Sequence, residues 1–185
     1  MSLCAILIKV PYQIRDSLRN KEGKILESHQ KNSQSNGTKR TVVKAALRIV
    51  GDDFEPGQIS ELLQVSPGRT WKKGDEIRDT GHTHPFSAWI YETDASESLS
   101  LTYLAKQLQN VFMPKVGPLN SLKKALDLDL CIDFVVVIED GTPPSMHLDA
   151  EFLDFVVRIG AEIDIDTYVK YSLQGTTQGR YLTGG

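Results

Sequence analysis

T-V-V-K-A-A-L-R-I-V-G-D-D-F-E-P-G-Q-I-S-E-L-L-Q-V-S-P-G-R-T-W-K-K-G-D-E, from Thr41 to Glu76, decides how the chain folds. Val43, Ala45, Leu47 and Ile49 alternate with Lys44, Ala46, Arg48 and Val50, the pattern of a strand with one buried face. Gly51-Asp52-Asp53 turns the chain, and Glu55-Pro56 opens a helix, since proline's missing N–H would have no partner in a first turn anyway. Ile59, Leu62 and Leu63 fall on one side of that helix, and Ser66-Pro67-Gly68 ends it. A tight loop follows, with Arg69, Trp71, Lys72 and Lys73 between Gly68 and Gly74.

Working outward, Ser87 to Glu92 reads S-A-W-I-Y-E, rich in the aromatic and branched side chains of a strand. Ser98 or Ser100 can cap a longer helix whose apolar stripe is Leu101, Leu104, Ala105, Leu108, Val111 and Phe112. Pro114, Gly117 and Pro118 break it, and Leu119, Leu122, Ala125 and Leu126 resume the spacing. Asp129 to Glu139 is the most apolar strand, with Leu130, Ile132, Phe134, Val136 and Ile138 on one face. After the turn at Asp140-Gly141-Thr142-Pro143-Pro144 comes a helix on Leu148, Phe152, Phe155, Val156 and Ile159, closed by Gly160. Ile163, Ile165 and Val169 alternate with Asp164, Asp166 and Tyr168 in a last strand. The fold class expected is α+β, a two-layer sandwich with a mainly antiparallel four-stranded sheet and helices on one face. A parallel doubly wound sheet would need both faces of every strand apolar, and they are not.

A chain of 185 residues can bury one substantial core. Residues 1–41 hold eight Lys/Arg against three Asp/Glu, while residues 42–185 hold thirteen against twenty-one. The first segment reads as a basic, largely disordered extension, because Ser28 to Thr38 is polar and without periodicity. Residues 42–171 read as the folded domain and 172–185 as a flexible tail. The acidic body repels phosphates, so nucleic acid is not expected to bind it; a basic protein partner would be attracted. No apolar run approaches the ~20 residues of a membrane span. Leu3 to Val10 lacks the basic flank of a secretion signal, and Cys4 and Cys131 make no disulfide framework, so a cytoplasmic setting is expected.

The chain resembles the domain of unknown function 4279 family. The likeness rests on A-A-L-R-I-V-G-D-D-F-E-P from Ala45, P-G-R-T-W-K-K-G-D from Pro67, the S-A-W-I-Y strand and G-A-E-I-D-I-D-T-Y from Gly160. It spans residues 42 to about 170 and implies no established activity. It implies a small bacterial intracellular protein, and by analogy with similar families an immunity-like binder that blocks a toxin.

Arg69 offers a planar fork for carboxylate or phosphate, Lys72 and Lys73 add point charges, and Trp71 lies among them. The loop is therefore a candidate anion or small-molecule site, or part of an enzyme; the plainer reading has Trp71 plugging the core edge and Arg69 paired to Asp52 or Asp53. His82 and His84 could begin a zinc shell with Asp79, but no further ligand cluster completes it. Asp164, Asp166, Asp133 and Glu139 read as a solvated sheet face with cross-strand partners in Lys44 or Arg48. No nucleophile elbow, Walker loop or dinucleotide fingerprint occurs, and no cofactor is implied. The function expected is a non-catalytic protein-interaction module, contacting its partner through Asp164, Asp166 and the Arg69–Lys73 loop.

Overall fold

The computed structural model describes residues 41–97, 100–139 and 143–170; residues 1–40 of the expected extension and the whole expected tail lie outside them. In chain order the elements are β1 (Val42–Gly51), α1 (Pro56–Leu63), β2 (Arg69–Trp71), β3 (Glu76–Ile77), β4 (His82–Thr83), β5 (Ser87–Glu92), α2 (Leu101–Phe112), α3 (Val116–Leu126), β6 (Asp129–Glu139), α4 (Ala150–Ile159) and β7 (Glu162–Lys170). A 3-10 turn at Met113–Lys115 joins α2 to α3 where the proline interrupts the helix.

The class is α+β, as the periodicities predict, but the sheet has five strands in the order β2-β5-β1-β6-β7. The additional strand is β2, which the sequence reading assigned to a loop. It pairs with β5 over Arg69↔Ile90, Thr70↔Trp89 and Trp71↔Ala88, too short a run to show alternation. All pairs from β2 to β6 are antiparallel, while β6 and β7 run parallel with Phe134 opposite Ile165. A parallel neighbour requires a crossover, and α4 supplies it. β3 and β4 form a separate hairpin.

The core lies between the sheet and the helices. Val43, Ala45, Leu47 and Ile49 of β1 meet Trp89 of β5, Ile132, Phe134 and Val136 of β6, and the inner stripes of all four helices. Trp89 is sealed, and its indole N–H donates to Ser60 Oγ of α1 at 2.9 Å. Gln64, left-handed at φ 51°, ends α1 before Ser66-Pro67-Gly68 is reached. Asp149 caps α4 by accepting the Phe152 N–H at 2.8 Å, and Gly160 at φ 58° closes it, with Ala161 N–H reaching back to Val156 O.

Candidate functional site

The face away from the helices gathers most of the candidate residues. Register places Arg69 and Trp71 of β2, Ala88, Ile90 and Glu92 of β5, Lys44, Ala46, Arg48 and Val50 of β1, Cys131, Asp133 and Val135 of β6, and Asp164 and Asp166 of β7 on that side.

Its charges are extensively paired. Arg48 Nε and Nη2 grip Asp133 Oδ2 and Oδ1 at 2.8 and 2.7 Å, a bidentate fork across neighbouring strands. Glu92 is the second hub, taking Arg69 Nη2 at 2.8 Å and Lys44 Nζ at 3.2 Å. Arg69 therefore pairs with Glu92 rather than with Asp52 or Asp53, as sequence reasoning proposed. Glu92 was the residue that reasoning missed, although alternation in S-A-W-I-Y-E sets it opposite in face to Trp89 and Tyr91. The face is not the openly solvated surface expected. Ala88, Ile90 and Cys131 on it are buried, and Asp164 and Asp166 are half-buried. The Cys131 thiol faces Asp133 Oδ1 at 3.4 Å.

The Lys72–Lys73 turn is fastened at both ends. Lys72 Nζ meets Glu55 Oε2 at 2.9 Å and Lys73 Nζ meets Asp52 Oδ1 at 2.7 Å, tying the turn to the start of α1. Asp75 Oδ2 accepts the Lys72 N–H, and Gly74 at φ 89° lets its N–H reach His84 O. Ser87 Oγ accepts N–H groups from both Phe54 and Lys73, so one buried hydroxyl joins three segments. Glu55 holds the Lys72 ammonium above its usual pKa through the hydrogen bond and its charge.

Trp71 packs on Val50, Phe86 and Ala88, a small apolar cluster outside the main core. Its other side stacks on His84, centroids 4.6 Å apart and planes 18° apart. Trp71 Nε1 and His84 Nδ1 are shielded there without a hydrogen-bond partner among the described residues. Burial lowers the His84 pKa, opposed by the charge of Asp75. His82 sits exposed on β4 opposite Ile77. Among the described residues no group of three or more His, Cys, Asp or Glu is placed to hold a metal ion.

No helix among the described residues is long and apolar enough to cross a membrane. The sequence model of a domain of unknown function, DUF4279, matches residues 40–170, and the chain belongs to that family. Neither the curated proteins nor the solved structures contain a match to the chain.

Proposed function

We propose that this DUF4279 domain works by binding a basic protein rather than by catalysis, with the sheet face around Asp164 and Asp166 as the contact surface. One observation carries the reading. The basic side chains of β1 and β2 on that face, Lys44, Arg48 and Arg69, are held by Glu92 and Asp133. Strand β7 then adds Glu162, Asp164 and Asp166 with no Lys or Arg between Ala161 and Val169. A strand rich in acidic residues supports this reading, because carboxylates speed and orient encounter with a cationic surface. The Arg69–Lys73 segment begins on β2, at the opposite edge of the sheet from β7, with Arg69, Lys72 and Lys73 each engaged by a carboxylate. An immunity-like block of the partner is the form of action that the family analogy favours, in a cytoplasmic setting that the cysteine usage suits.

The test is capture on the immobilised chain at about 0.05 M and about 0.5 M salt, with wild type beside Asp164→Asn/Asp166→Asn. The reading requires a basic protein retained at low salt, released at high salt and lost to the double variant. Capture insensitive to both changes contradicts it. Anion binding that disappears in Arg69→Ala would instead favour a small-molecule site at the loop.

A further inference from the structure

Strand β7 is better covered on its acidic side than on its apolar one. Ile165 and Val169, in line with the core residues Phe134 and Ile138, are 37% and 50% exposed. Asp164, Asp166 and Tyr168, on the opposite side, are half-buried, and none of them stands free. The same holds further along that face of the sheet. Ile90 and Cys131 are buried, and the ion pairs among Lys44, Arg48, Arg69, Glu92 and Asp133 leave only 15–25% of each side chain open. Lys72 and Lys73, in pairs off the sheet, keep 47% and 45%. All four helices pack on the other side, and the segment after β4 meets this face at Trp71 through His84. Charged side chains on a sheet face are ordinarily left to water, so an ionic face this dry calls for a cover.

We propose that the occupant of this face is a segment of the chain itself, residues 14–24, I-R-D-S-L-R-N-K-E-G-K, which acts as a tethered competitor of the basic partner. These residues lie outside the described ones. Their charge is complementary: Arg15, Arg19, Lys21 and Lys24 outnumber Asp16 and Glu22, and they would meet Glu162, Asp164 and Asp166 of β7. Ile14 and Leu18 supply apolar side chains for the buried strip of Ile90 and Cys131. The other occupants fit less well. Residues 171–185 offer a single charged group, Arg180, and a second copy would bring its own acids against these. Reach favours the same segment. β1 opens with Val42 opposite Val137, which lies opposite Tyr168, so the chain enters the sheet two strand spacings, about 10 Å, from β7. Residues 25–40, sixteen in all, link the segment to that point, and a relaxed chain of this length reaches roughly 20 Å. Such a tether sets an effective concentration on the order of millimolar, which a free partner has to overcome. The regulatory consequence rests on the proposed function, whereas the contact itself does not.

The experiment reads the shielding of Cys131 in the full chain. In a Cys4→Ser background Cys131 is the single thiol, and its rate of labelling by a maleimide is followed at about 0.05 M salt. Arg15→Gln/Arg19→Gln/Lys21→Gln/Lys24→Gln is expected to speed labelling at least about tenfold, because the face then opens more often. A synthetic peptide of residues 14–24 at about 1 mM is expected to slow it again in that variant. Equal rates in the two chains overturn the inference. So does faster labelling that the peptide leaves unchanged, the mark of a variant that has merely lost stability. The neutralised variant is also expected to capture more of the basic partner than the unsubstituted chain does. Labelling is measured with no partner present, so the contact and the proposed function can each fail alone.

Discussion

Trp71 and His84 stack with 18° between their planes, and neither Nε1 nor Nδ1, both shielded, has a hydrogen-bond partner among the described residues. A neutral imidazole suits this setting, and a protonated one would carry charge against the apolar cluster of Val50, Phe86 and Ala88. Desolvation accordingly lowers the His84 pKa, with Asp75 pulling weakly the other way.

The sign of the resulting pH dependence follows by linkage. Above the ordinary histidine value of about 6.5 both folded and unfolded chains are neutral at this site, and it contributes no slope. As pH falls through that value the unfolded chain takes the proton first, so stability drops, levelling once the folded form also titrates. The melting temperature of wild type should therefore fall more between about pH 7.5 and about pH 5.5 than that of His84→Phe, which keeps a ring to stack. Equal slopes would contradict the assignment.

The fork between Arg48 and Asp133 is a second point of stress, at 16% and 25% side-chain exposure. Removing Asp133 takes the bidentate acceptor from a half-buried guanidinium, so Asp133→Ala is expected to cost about 1–3 kcal/mol in denaturant unfolding. Arg48→Lys, with Asp133 intact, should lose a large share of the same stability, because an ammonium cannot reproduce two parallel N–H···O bonds. No loss with lysine would mean that the pair acts only through charge.

Two glycines answer to different physics. At Gly160 the left-handed φ of 58° strains any L side chain, and a Cβ would also meet Lys123 Nζ at 2.8 Å. At Gly51 the conflict is space: a Cβ would stand 2.7 Å from Leu128 Cδ2 and 3.1 Å from Phe54 Cδ1. Each alanine variant is expected to lose about 1–3 kcal/mol by thermal or chemical unfolding. Replacing Gly57, where a Cβ meets nothing within 4 Å, serves as the control and should lose no stability through crowding.

Elements long enough to express a period were legible in the sequence, and the contacts they make were only partly so. β1, β6, α2 and α4 were readable because their apolar faces repeat over ten or more residues. β2 was not, since three residues carry no period and its pairing is decided by Ile90, Trp89 and Ala88 elsewhere in the chain. The parallel β6–β7 pair was obscured because the charges on β7 suggested a solvated antiparallel edge; the crossover through α4 was the signal that could have corrected it. Cross-strand neutralisation by Arg48 could be anticipated from alternation. The choice of Glu92 by both Arg69 and Lys44 depends on register that no local rule supplies.

The most direct test of the binding account is to titrate the isotopically labelled chain with a lysine-rich peptide and follow backbone amide shifts at two salt concentrations. The account predicts the largest shifts from Glu162 to Val169, abolished at about 0.5 M salt and in Asp164→Asn/Asp166→Asn. Shifts centred on Arg69 to Lys73, shifts unchanged by salt, or no shifts at all would contradict it.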